Sequence, residues 1–70
     1  MESAQARFGA NVRKARLALA ISQEELADRS ELHRTYIGQV ERGETNISLA
    51  NMVRVARALQ ITVCELLKGI

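Results

Sequence analysis

The sequence predicts an all-α protein, five short helices packed as a compact orthogonal bundle. Three observations carry that prediction. Apolar residues recur at helical spacing, in steps of three and four that line up on one face. None of the 70 residues is a proline, so no helix is interrupted from within. And one helix-start device, a capping residue between two apolar ones, repeats four times along the chain.

The first helix is expected over 5–19, where Phe8, Val12, Ala15 and Leu19 form one stripe. Gly9 inside it is a mild penalty and reads as a close-packing site. Ser22 followed by Glu25, and Thr62 followed by Glu65, read as capping boxes: the hydroxyl accepts from a free backbone N–H and the carboxylate reaches back. Ser48 is a third cap and His33 a poorer fourth. The residue before each cap is apolar (Ile21, Leu32, Ile47, Ile61), and so is the one four after it (Leu26, Ile37, Met52, Leu66). Such pairs staple the incoming chain to the helix. They set helices at 23–30, 34–42, 49–59 and 63–68. In the fourth, Leu49, Met52, Val53, Ala56 and Leu59 share a face, with Arg54 and Arg57 off it. The expected core is Phe8, Val12, Ala15, Leu19, Leu26, Ala27, Leu32, Ile37, Val40, Met52, Val53, Ala56, Leu59 and Leu66. Short connections fit a single domain over 1–70.

Composition narrows the function. One cysteine, Cys64, rules out an internal disulfide and suggests a reducing compartment. One Cys and one His cannot supply a zinc site, so no metal or cofactor is expected. No apolar run approaches about 18 residues and no signal-peptide core is present, so a soluble, cytoplasmic protein without membrane contact is expected. The net charge of +2 is unevenly spread. Residues 1–21 carry Arg7, Arg13, Lys14 and Arg16 against Glu2. Residues 22–43 carry Glu24, Glu25, Asp28, Glu31 and Glu41 against Arg29, Arg34 and Arg42. That is a basic face and an acidic back rather than a uniform coat for nucleic acid. With one Phe and one Tyr, base stacking on aromatic platforms is excluded as a main mode, and with it single-strand binding.

The stretch Ser22-Gln23-Glu24-Glu25-Leu26-Ala27 to Thr35-Tyr36-Ile37-Gly38-Gln39-Val40-Glu41-Arg42-Gly43 places two short helices about a turn apart. This is the outline of a helix-turn-helix over 22–43, whose second helix can lie in the DNA major groove. Those residues, with Ser48-Leu49 and the closing Val63, Glu65, Leu66 and Leu67, resemble the phage-repressor-like (Cro/repressor, Xre-type) helix-turn-helix family over nearly the whole chain. The resemblance implies a lambda-repressor-like DNA-binding domain. The segment from Leu32 to Ile37, with Val40-Glu41-Arg42-Gly43, also resembles the controller proteins of restriction–modification operons, small stand-alone dimers of about this length. One departure is Glu31, where the family often has Gly or another small residue. A Glu in that corner is strained if φ is positive.

Helix three presents Arg34, Thr35, Gly38 and Gln39 away from Ile37 and Val40. Arg34 can pair with guanine O6 and N7, and Gln39 with adenine N6 and N7. Thr35 offers a hydroxyl and a methyl, and Gly38 would permit close approach to DNA. The bland alternative is a solvated polar face. Ser22 and Gln23 stand at a helix N-terminus, which favours an anion. The resemblance implies a phosphate contact there, and ordinary capping is compatible with it. His33 reads as a cap or phosphate-side residue rather than a switch. Tyr36 is expected to rest its ring on the core edge with its hydroxyl toward a phosphate. The resemblance also implies backbone clamping by Arg42 and the 43–48 loop, with Asn46 and Ser48 as donors, and a partly buried pair between Arg16 and Glu41. Arg7 and Arg13 are either flanking phosphate contacts or a solvated face. Cys64 lies in a helix first turn, where a thiolate is favoured; its default is a buried small apolar residue.

One recognition helix reads few base pairs, so affinity needs two copies on a pseudo-palindrome, about 34 Å apart. With no second domain to join them, the seam is expected within 49–70. Val55, Ile61, Val63, Leu67 and Ile70 exceed what one small core needs. The leading function is a homodimeric, sequence-specific regulator of transcription on double-stranded DNA, with no small-molecule ligand expected. Control of a restriction–modification operon is the narrower expectation that the resemblance adds. The alternative from another class is an antitoxin-like module that neutralises a partner protein, against which the compact length argues. An enzyme lacks support: there is no Ser/His/Asp set, metal set or phosphate loop.

Overall fold

A computed structural model describes residues 2–70. It contains α1 (Ala4–Ala18), α2 (Gln23–Ser30), α3 (Arg34–Glu41), α4 (Leu49–Ala58) and α5 (Val63–Leu66), with no strand among the described residues. Among the described residues, no helix is long and apolar enough to cross a membrane. α1 packs on α3 and α5, α2 on α3 and α4, and α4 on α5, within 31 × 22 × 21 Å.

Every helix begins on a side-chain cap. Ser3, Ser22, Ser48 and Thr62 accept from the backbone N–H three residues on, and His33 Nδ1 accepts from Thr35 N–H. The box is complete at Thr62, where Glu65 Oε1 accepts from the Thr62 N–H at 3.5 Å. At Ser22 it is half-formed. Glu25 pairs with Arg29 at 3.0 Å, one turn on, instead of reaching back.

The helix ends share a second device, which the sequence signals at Glu31 but not at Ala20 or Gln60. After α1, α2, α3 and α4 one residue turns left-handed: Ala20 (φ 57), Glu31 (φ 58), Gly43 (φ 73) and Gln60 (φ 62). In each case that residue's N–H and the next one's reach back into the last turn, as with Glu31 to Asp28 O and Leu32 to Ala27 O. This closing motif satisfies carbonyls that the helix leaves free. Three of the four positions lack glycine, and each costs about 1–2 kcal/mol of left-handed strain. Gly43 has no alternative, since a Cβ there would lie 2.7 Å from Ala6 Cα.

The core comprises Phe8, Val12, Leu26, Ala27, Ile37, Val40, Ile47, Val55, Ala56, Leu59 and Leu66. Ala15, Leu32 and Met52 pack against it half-buried. Two expected members fall outside. Leu19 is the α1 C-cap and 36% exposed. Val53 is half-buried apart from the core, and Val55 is fully buried in its place. α4 is apolar on so many positions that periodicity alone does not fix its phase. Its packing on α2 and α5 buries 55, 56 and 59 and leaves Leu49 69% exposed.

Candidate nucleic-acid interface

α3 is held at its trailing end by one carboxylate. Arg16 donates to Glu41 through Nε (2.6 Å to Oε2) and Nη2 (3.1 Å to Oε1), and through Nη1 to Ile21 O at 2.9 Å. Gln23 Nε2 donates to Glu41 Oε1 at 3.1 Å. α1, α2 and α3 therefore meet on Glu41, whose side chain is 3% exposed beside an Arg16 side chain at 10%. A bidentate, doubly supported pair is the geometry that offsets the desolvation of two buried charges. Gly9 makes the approach possible: a Cβ there would sit 2.2 Å from Val40 O and 2.6 Å from Glu41 O. Phe8 and Val12 bury α1 against the same core that Ile37 and Val40 enter from α3.

The leading end of α3 is open. His33, Arg34 and Thr35 are exposed, and the Arg34 side chain is 66% exposed. Its guanidinium stands 3.7 Å from Glu24 Oε2 on α2, a loose pair between solvated groups. His33 Nδ1 accepts the Thr35 N–H at 3.2 Å, capping the open end of α3. Gln39, one turn beyond Thr35, is half-buried. Gly38 is buried rather than presented outward. The Arg42 guanidinium lies across it, with Nη1 3.1 Å from where a Cβ would stand. The expected outward presentation of Gly38 is therefore corrected: the exposed Arg42 side chain covers it.

Beyond α3, Arg42 donates to Glu44 Oε2 at 3.0 Å, both side chains more than half exposed. That hydrogen bond and the opposite charge raise the Arg42 pKa, and the hydrogen bond from Arg42 lowers that of Glu44. Asn46 and Ser48 are exposed on the loop, with Ser48 Oγ engaged by the Asn51 N–H. Ser22 Oγ is engaged by the Glu25 N–H, and Gln23 by Glu41. Tyr36 is half-buried against the core, its hydroxyl accepting from Asn51 Nδ2 at 3.2 Å. Asn51, on the first turn of α4, carries no signal in the sequence, because its partner is a tertiary one 15 residues away. Arg7 lies near Glu2 and Gly69, and Arg13 is exposed.

Two expectations on the opposite side are corrected. Val55 has no exposed surface and cannot line a seam between copies. Cys64 is exposed, not buried, because Val63 and Leu66 occupy the inward positions of α5. Ile61 and Val63 are half-buried on the core, while Leu67 and Ile70 are 39% and 57% exposed. No group of three or more His, Cys, Asp or Glu that could hold a metal ion exists among the described residues.

Residues 12–66 match the model of a family described as helix-turn-helix. Control protein C.SmaI of Serratia marcescens is 51% identical over 57 residues, which span 81% of this chain and 68% of that protein. Control protein C.BamHI of Bacillus amyloliquefaciens is 46% identical over 61 residues, 86% of this chain and 75% of its own. Among solved structures, the restriction-modification controller protein C.AhdI from Aeromonas hydrophila aligns with a TM-score of 0.87 and 47% identity, covering 89% of this chain and 94% of that one.

Proposed function

The chain belongs to the helix-turn-helix family and is a DNA-binding regulator of transcription, not an enzyme; from that premise we propose that it works in the cytoplasm as a homodimer on a pseudo-palindromic operator, controlling a restriction–modification operon. The operon assignment follows the names of its relatives, which are control proteins. In this reading Arg34, Thr35 and Gln39 meet base edges. Ser22, Gln23, His33, Tyr36, Arg42, Asn46 and Ser48 meet the phosphate backbone. Ile61, Val63, Leu67 and Ile70 belong to the seam.

The observation that carries the reading is the contrast along α3. Its trailing end is clamped by the buried Arg16–Glu41 pair, and its leading end offers Arg34 and Thr35 to solvent. A helix fixed at one end and free at the other can insert that free end in the major groove with its side chains in register. Positioning donors surround it on α2, α3 and the following loop, the division of labour that duplex recognition requires.

Selection of binding sites from random duplex DNA, with sedimentation of the free protein, tests this. The expected result is a site of two symmetric halves about 34 Å apart and a dimer at tens of micromolar. An asymmetric site bound by a monomer would overturn the dimeric reading, and co-purification with a second, different chain would favour a role in neutralising a protein.

A further inference from the structure

The Tyr36 hydroxyl has a partner whose chemistry dictates which way it can work. Asn51 Nδ2 meets the phenolic oxygen at 3.2 Å in a part-buried setting. An amide nitrogen only donates, so the phenolic oxygen accepts and its own proton is left unused. Among the described residues, no hydrogen bond takes up that proton. The Asn51 backbone is held at the start of α4, where its N–H donates to the cap, Ser48 Oγ, at 3.2 Å. The Tyr36 ring packs on the core, and Asn51 beside it is half-buried.

The orientation matters because a carboxamide can do either job. With its oxygen toward Tyr36, Asn51 would draw the phenolic proton inward and leave only lone pairs facing outward. Lone pairs repel a phosphate, which only accepts. With its nitrogen toward Tyr36, the hydroxyl is left as a donor, and accepting one bond strengthens the bond it gives.

We propose that Asn51 is a positioning residue for DNA binding: it sets the Tyr36 hydroxyl as a proton donor toward a backbone phosphate of the duplex. This rests on the reading of Tyr36 as a phosphate contact. Asn51 acts from α4, outside the helix-turn-helix, and couples the start of that helix to the interface through a single hydroxyl.

A double-mutant cycle tests it, with affinity for the selected duplex read by fluorescence anisotropy. Tyr36→Phe is expected to weaken binding about tenfold or more, the usual effect of losing a hydrogen bond to a charged group. Asn51→Leu is expected to weaken it roughly threefold, through a poorer Tyr36 donor. Asn51→Asp keeps the shape, turns the hydroxyl inward, and is expected to weaken binding more than Asn51→Leu. On the Tyr36→Phe background, Asn51→Leu is expected to have no further effect, and Asn51→Asp only a loss that added salt removes. Asn51→Leu acting by the same factor with the hydroxyl present and with it removed, or in neither case, would overturn the proposal. Tyr36→Phe without effect would instead remove the phosphate reading beneath it. Thermal midpoints of all variants separate these outcomes from unfolding, and the Asp variant decides if the Leu variant fails to fold.

Discussion

Glu41 and Arg42 are adjacent in the chain, and each is half of an arginine–carboxylate pair, yet the two pairs occupy different worlds. Arg16–Glu41 lies under α3, almost without solvent, and ties three helices together. Arg42–Glu44 lies over its exit, with both side chains more than half exposed. Similar atoms at similar distances have different consequences because water surrounds only one pair. The buried pair has given up its hydration and depends on its partner, whereas the exposed pair is screened and can exchange its partner for another anion. One is scaffold; the other is the solvated cation that the proposed function assigns to a phosphate.

The sharpest way to break this contrast is to remove one buried partner. Glu41→Ala leaves the Arg16 guanidinium in the interior, and a loss of about 3–5 kcal/mol is expected in denaturant unfolding. Replacing both partners with apolar residues, Arg16→Met with Glu41→Leu, is expected to recover much of that loss, since no uncompensated charge remains. Next is the spacing that lets the pair meet. Gly9→Ala forces a Cβ to within 2.2 Å of Val40 O, backbone that cannot swing away, and is expected to destabilise by about 1–3 kcal/mol through overpacking.

The smallest effect on stability belongs to the exposed pair. Glu44→Ala is expected to leave the thermal midpoint unchanged within error, and a loss equal to that of Glu41→Ala would erase the distinction between the pairs. The pH dependence sharpens this. The Glu44 carboxyl is lowered by Arg42, so its small contribution is present at neutral pH and is lost as pH falls through that lowered pKa. The Arg42 pKa is raised, so its charge persists across this range. Glu44→Gln is therefore expected to flatten the acid side of the stability profile slightly, by lowering its neutral plateau by the same small amount that acid removes from the parent.

The same divide between local and solvent-hidden chemistry explains what the sequence revealed. Helix starts were legible because Ser22, His33, Ser48 and Thr62 satisfy backbone donors within three residues of themselves. Helix ends were less so. Glu31 stood out against a familiar pattern, but Ala20 and Gln60 turn left-handed with no glycine to announce it. The phase of α4 was not legible: Val53 and Val55 both suit a helix face, and only packing buried the second. Only family resemblance points to the Arg16–Glu41 pair, since 25 residues separate its members. Asn51 beside Tyr36 and Arg42 across Gly38 are tertiary arrangements with no local signature.

The central claim is that the open end of α3 reads base pairs. Repeating the site selection with Arg34→Ala tests it most directly. The expected result is a lost preference at one guanine in each half-site, with affinity for the parent site reduced by about 1–3 kcal/mol, while Glu44→Ala selects the parent site unchanged. An Arg34→Ala protein that enriches the same sequence as the parent, with the same preference at every position, would contradict the account.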